Sequence, residues 1–223
     1  MADRIILKDL KPVTHDTHHY VFSRPEGLSF KPGQAAELAI DRDGWREEGR
    51  PFTFVSQPED ADIEFVIKSY PDHDGVTEQL AQLKPGAELT LDGPFGAITD
   101  HGPGTFIAAG AGITPFIPIL RKHDREGTMD GCALFFANKT EADIIMRGEW
   151  EAMKGLRAEF VLSDEKVDGM HHGKIDKSLL KERVTDFDQT FYLCGPQEFV
   201  DDVRDALKDL GAKESSIITE EGW

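Results

Sequence analysis

Cysteine is nearly absent from this chain: Cys132 and Cys194 are the only two in 223 residues. Two widely separated thiols build no disulfide framework, and they lack the spacing of an iron–sulfur or zinc site. Long hydrophobic runs are missing as well. No apolar stretch approaches a membrane span, and the start, Met1-Ala2-Asp3-Arg4, does not read as a signal peptide. Basic residues are scarce: 25 Lys and Arg against 42 Asp and Glu leave a net charge of −17. That balance argues against nucleic acid and anionic membrane surfaces as partners. It also repels an acidic carrier at long range, unless the few cations gather at its docking site. Repeats and low-complexity tracts are absent too. The expectation is a soluble, cytoplasmic, monomeric protein with one large core or two small ones.

Turn signals divide what is present into two rhythms. Six short apolar or alternating runs, at residues 4–10, 18–23, 35–40, 52–56, 63–69 and 88–91, are punctuated by Gly- and Pro-bearing turns. Their spacing predicts a small antiparallel six-stranded β-barrel with one helix over residues 76–83. From about Thr105, strands alternate with helices. Apolar strands at 105–109, 132–137, 158–162 and 190–193 and helices at 115–125, 148–153, 176–182 and 196–210 predict an α/β parallel sheet covered on both faces. Gly and Pro cluster in residues 97–104, so the expected domains are 1–98 and 99–223.

Arg50-Pro51-Phe52-Thr53-Phe54-Val55-Ser56 puts a permanent cation, a flat ring and a hydroxyl within four residues of a predicted strand. Alternation sends Arg50 and Phe52 to one side and Pro51 and Thr53 to the other, unless the strand bends. An anionic, planar ligand would use all three: guanidinium on phosphate, ring against ring, hydroxyl on a ring heteroatom. A half-buried strand with a surface Arg fits the same seven residues equally well. Downstream, Phe106-Ile107-Ala108-Ala109-Gly110-Ala111-Gly112-Ile113-Thr114-Pro115 is an apolar run entering a glycine turn, then a proline suited to a helix start. Such a turn lets a ligand approach the backbone and offers free N–H groups to phosphate. Phe191-Tyr192-Leu193-Cys194-Gly195-Pro196 repeats the pattern. Taken alone, Cys194 reads as an inert buried thiol.

In this order and at these separations, the three segments resemble the ferredoxin–NADP+ reductase family of flavoproteins, over essentially the whole chain. The resemblance implies an FAD-binding barrel, an NAD(P)-binding α/β domain and NAD(P)H-dependent reductase activity. Electrons would pass from nicotinamide to flavin and then singly to an external carrier, with flavodoxin or ferredoxin leading. Carried over residue by residue, Arg50 holds the flavin pyrophosphate, Phe52 lies against the isoalloxazine ring and Thr53 bonds flavin nitrogen 5. The family commonly has Tyr and Ser there; Phe52 keeps the stacking face and Thr53 the hydroxyl. Pro51, Val66 and Lys68 belong to the same flavin-binding set. Gly75, Val76 and Thr77 match a second phosphate segment, although a plain N-cap explains them as well. Gly110, Gly112, Thr114 and Pro115 receive the nicotinamide nucleotide, and Cys194, Gly195 and Pro196 lie beside its ring. Ile217-Ile218-Thr219-Glu220-Glu221-Gly222-Trp223 resembles the tail of bacterial flavodoxin reductases, with Glu220 near the reacting site and Trp223 over part of the flavin. The implied catalytic set is Thr53, Cys194 and Glu220, none of them a covalent catalyst.

NADP-dependent relatives often carry Ser then Arg after the strand at 159–162. Here Ser163 is followed by Asp164, an acid that repels a 2′-phosphate and accepts from a free ribose hydroxyl. NADH is therefore favoured over NADPH, although Lys166 and Lys174 offer cations from another direction. Three alternatives share most motifs: a free-flavin reductase, the reductase component of an oxygenase, and a non-catalytic electron-transfer subunit. His15, His18 and His19, and the pair His171-His172, have no recognisable ligand pattern. Surface imidazoles and no metal are expected.

Overall fold

The computed structural model describes residues 2–70, 75–96 and 98–220. Its first half is a six-stranded antiparallel sheet built from β1 (Asp3–Pro12), β2 (Thr17–Ser23), β3 (Ala35–Ile40), β4 (Arg50–Thr53), β5 (Asp62–Lys68) and β6 (Glu88–Phe95). The strand order is β4-β3-β6-β1-β2-β5. A bridge between Phe54 and Phe65 joins the two edges and closes the sheet into a barrel. Period-two alternation drives the closure, because Tyr20 and Phe22 on β2 and Leu89 and Leu91 on β6 all point inward. Phe54 stacks on Phe30 with centroids 4.2 Å apart, filling the centre. The strand expected at 52–56 instead begins at Arg50 and stops at Thr53. Beyond that point the chain leaves β3 to bridge β5, and the Val55 N–H donates to the Glu64 carbonyl. One helix, α1 (Val76–Ala81), interrupts the strands as expected.

The second half is a parallel sheet of β7 (Thr105–Ala109), β8 (Ala133–Asn138), β9 (Arg157–Leu162), β10 (His171–His172), β11 (Phe191–Cys194) and β12 (Ile217–Thr219). Its order is β10-β9-β8-β7-β11-β12. Between the strands lie α2 (Phe116–Glu126), α3 (Arg147–Ala152), α4 (Lys177–Arg183) and α5 (Gln197–Asp209). Both faces are covered, so neighbouring residues serve different cores. Phe106, Leu134 and Phe136 pack on one side, and Ile107, Phe135 and Leu193 on the other. β10 and β12, at the two edges, were not foreseen. No described helix is long and apolar enough to cross a membrane.

The two halves share buried residues. Val55, Val66 and Ile98 from the barrel side join the cluster formed by Phe116, Ile117 and Leu120 of α2. Tyr192 pins the connecting segment: its ring stacks on Phe106 with centroids 4.3 Å apart, and its hydroxyl donates to the Gly102 carbonyl and accepts from the His101 N–H. Asp100 on the same segment bonds Lys122 at 2.8 Å and His123 at 3.1 Å. The histidines are not uniformly on the surface. His19 is partly buried on Glu64 at 3.0 Å, and His18 Nδ1 is buried with no partner among the described residues, because both lie on β2, paired with β1 on one side and β5 on the other.

Candidate functional site

A cleft of about 1130 Å³ is lined by residues from both halves. From the barrel come Pro51, Phe52 and Thr53 of β4, Val66 and Lys68 of β5, and Thr77 of α1. Opposite them are the carboxyl ends of parallel strands: Gly110, Gly112 and Thr114 after β7, Asn138 and Lys139 at the end of β8, Ser163 after β9, and Cys194, Gly195 and Pro196 at the end of β11. Ligands of open α/β sheets bind in this crevice. Pockets for a single small ligand run to roughly 1,000 Å³, so this cleft stands at the large end of that range.

Glycine lets the turns after β7 and β11 touch. A Cβ on Gly112 would stand 2.4 Å from the Cys194 carbonyl oxygen. Gly195 adopts φ +157, and a Cβ there would stand 2.9 Å from the Phe199 ring. β12 then sets the next contact by register. Leu193 pairs with Thr219 where β12 ends, and continuing that parallel register brings Glu220 alongside Cys194. The Cys194 thiol, 7% exposed, donates to the Glu220 carboxylate. Burial, reinforced by the Glu220 charge, pushes the thiol well above its usual range, so it stays protonated. Burial also raises Glu220, against the opposing hydrogen bond from Cys194.

Most of the residues singled out from sequence line this cleft, but several do not. Arg50 is exposed, donating to the Gly49 carbonyl at 2.8 Å and lying 3.5 Å from Glu48. Val76 is 4% exposed because it packs with Leu80 into the barrel core, and Gly75, the N-cap of α1, also stays out of the lining. Pro115 is buried as the N-cap of α2. Asp164 is exposed and accepts from the Ser163 hydroxyl at 2.6 Å rather than lining the cleft. Trp223 lies outside the described residues.

The cleft also holds residues that sequence reasoning passed over: Asn138, Lys139, Tyr70, Glu198 and Asp202. Asn138 and Lys139 follow an apolar strand run, and the strand-end rule could have flagged them. His15, Asp16 and Asp143 bring one ligand atom each within 4.8 Å, an arrangement invisible in sequence because Asp143 comes from the second half. Both carboxylates are already engaged. Asp16 holds Lys68 at 2.9 Å, and Asp143 closes a capping box with Thr140.

The residues present fit two nucleotides. Asn138 Oδ1 is buried and has no hydrogen-bond partner among the described residues, an acceptor in need of a donor. Lys68 and Thr77 supply a cation and a hydroxyl to the barrel side, and Phe52 supplies a flat apolar face.

Comparison with known proteins agrees. Residues 4–99 match an oxidoreductase FAD-binding domain and residues 106–205 an oxidoreductase NAD-binding domain. The chain is 30% identical to NADH-cytochrome b5 reductase 1 of Aspergillus terreus, over 92% of this chain and 77% of that protein. It is 29% identical to the reductase component of propane 2-monooxygenase from Mycolicibacterium goodii, over 79% of this chain and 54% of that protein. A ferredoxin NADP+ reductase from Neisseria gonorrhoeae, solved with FAD and NADP, shares the fold with a TM-score of 0.84 at 22% identity, covering 97% of this chain and 96% of that one.

Barrel, parallel sheet and shared cleft together define a two-domain flavoprotein oxidoreductase that uses FAD and NAD(P)H. The chain belongs to the ferredoxin–NADP+ reductase family.

Proposed function

We propose that this protein takes electrons from NADH onto FAD and passes them one at a time to a separate carrier protein, with residues 1–98 as the flavin domain and 99–223 as the nucleotide domain. The observation that carries this reading is a single cleft lined by Phe52 and Thr53 on one side and by the glycine turn, Cys194 and Glu220 on the other. Bound FAD supplies the exchange between two-electron and one-electron chemistry, and the protein supplies geometry and electrostatics.

Phe52 offers a stacking face, and Thr53, 7% exposed, offers a hydroxyl to a ring nitrogen in a nearly dry setting. Lys68 and Thr77 hold flavin phosphate. Gly110 and Gly112 let the nicotinamide nucleotide approach the backbone. Cys194 would present a neutral thiol beside the reacting ring, so the thiol itself adds no negative charge there. Glu220, with its affinity for a proton raised by burial, holds or releases that proton next to the thiol. Asn138 Oδ1 accepts from a ribose hydroxyl or an amide. NADH is preferred because, among the described residues, no arginine lines the cleft to fork a 2′-phosphate. The Aspergillus relative is also named for NADH. That name makes a cytochrome b5-type haem protein the first carrier to assay; flavodoxin, ferredoxin and an oxygenase component are the comparison arms.

Anaerobic stopped-flow absorbance of FAD-reconstituted protein, mixed separately with NADH and NADPH, tests the reading. Rapid bleaching by NADH, at least about tenfold faster than by NADPH, is expected. Tightly held flavin that neither nucleotide bleaches overturns it. Flavin lost on desalting replaces it with a free-flavin reductase.

A further inference from the structure

α2 begins where the glycine turn of the cleft ends, and one of its faces meets the chain segment that follows Phe52 and Thr53. Pro118, Arg121 and Arg125 recur at positions i, i+3 and i+7, which is one face of a helix. Each makes a contact with residues 55–60. The buried Gln57 amide donates to the Pro118 carbonyl at 2.9 Å. Arg125, at the exposed end, lies 3.1 Å from Glu59 and 3.3 Å from Asp60.

Arg121 is the middle contact. Its side chain is only 20% exposed. Nη1 donates to the Val55 carbonyl at 2.9 Å, while Nε and Nη2 fork onto the two oxygens of Glu149 at 2.6 and 2.9 Å. Glu64 Oε2 lies 3.8 Å from Nη1 and completes the charge balance. Val55 is thereby gripped from both ends of its residue, since its N–H already donates to Glu64 of β5. It stands two residues beyond Thr53, past the end of β4, where among the described residues the Phe54–Phe65 bridge is the one sheet pairing. A planar guanidinium fixed by three bonds is a stiff spacer, which an ammonium cannot imitate.

We infer that Arg121 is a positioning residue for electron transfer: through Val55 it fixes the wall bearing Phe52 and Thr53 against the helix that carries the glycine turn. The inference rests on the proposed reading of the cleft. It needs no contact between Arg121 and either nucleotide. Two stacked rings must be held at reacting distance, and a drift of about 1 Å costs on the order of 100-fold in rate. Arg121 joins α2 to the segment after the Phe52 strand through one hydrogen bond to the Val55 carbonyl, and its largely buried fork onto Glu149 of α3 holds the guanidinium in place for it, so loss of that anchored bond should alter rate and leave affinity.

The test is stopped-flow reduction of the FAD-loaded Arg121→Gln variant by NADH, with long-wavelength charge-transfer absorbance and thermal midpoint recorded alongside. The expected result is a limiting reduction rate lower by about 10- to 100-fold, with NADH half-saturation within about threefold of wild type and a weakened charge-transfer band. Arg121→Lys should recover only part of the rate, and Arg125→Ala should change it less than about twofold, its pair being exposed. An unchanged limiting rate overturns the inference even if the thermal midpoint falls, because a purely structural bond predicts that pattern. Should Arg121→Gln fail to fold or hold FAD, Glu149→Gln decides. It keeps a neutral acceptor for the guanidinium, and a rate within twofold of wild type counts against the fork. Wild-type flavin that NADH does not bleach would instead sink the functional reading itself.

Discussion

The two walls of the cleft are built on opposite principles. The barrel wall presents side chains from the faces of strands: a ring at Phe52, a hydroxyl at Thr53, an ammonium at Lys68. The α/β wall presents main chain from the ends of strands, with Gly110, Gly112 and Gly195 keeping the backbone free of side chains and Cys194 and Glu220 adding a thiol hydrogen-bonded to a carboxyl. One wall therefore depends on atoms being present, and the other on atoms being absent. Substitutions that add bulk should damage the second wall most, and truncations the first.

The largest effect is expected from adding bulk. Gly112→Val places a branched side chain where even a Cβ would stand 2.4 Å from the Cys194 carbonyl oxygen, which belongs to backbone and cannot swing away. Loss of about 3 kcal/mol of stability and near-abolition of NADH-driven bleaching are expected, read by denaturant unfolding and stopped-flow. Full retention of both would break the comparison. Truncation comes next. Phe52→Ala leaves the barrel strand paired but removes the flat face, and FAD affinity should fall by about 2–3 kcal/mol, measurable by flavin fluorescence titration.

The join between the walls yields a pH prediction. Burial raises the Asp100 carboxyl, but the Lys122 hydrogen bond, the Gly102 N–H and the charges of His123 and Lys122 together bring it below its ordinary 3.8. A lowered folded value means that its stabilisation is present above pH 3.8 and disappears as the pH falls through the folded value. Asp100→Asn should cost about 1–2 kcal/mol at neutral pH and flatten that part of the acid limb in pH-dependent unfolding. The smallest effect belongs to exposed cations. Lys139→Gln should leave NADH reduction within about twofold and lower NADPH turnover by at most about threefold. A collapse with NADPH alone would move the 2′ subsite to Lys139.

The same contrast explains what was legible in the sequence. Gly112 and Gly195 stand where no other residue fits, so a backbone demand is written directly as residue type. The barrel strands were legible through alternation, whereas the register of β11 on β12, which brings Glu220 alongside Cys194, was not, since the tail motif implied only that Glu220 lies near the reacting site. Side-chain direction was not legible. Arg50 points to Glu48, Val76 into the core and Asp164 to Ser163, because one-residue rotations decide such matters and leave no pattern. β10 and β12, of two and three residues, are too short to show any period. Asn138 was missed for a different reason: its significance lies in an orphaned oxygen, a property of the folded neighbourhood alone.

Val55, Val66 and Ile98 are fully or nearly fully buried among residues of the other half. An isolated barrel would turn those three faces to water, and an isolated α/β half would bare Phe116, Ile117 and Leu120. The pair should therefore melt in one calorimetric transition rather than two. In any fusion to a haem or iron–sulfur unit, the two halves would have to travel as a single inseparable cassette.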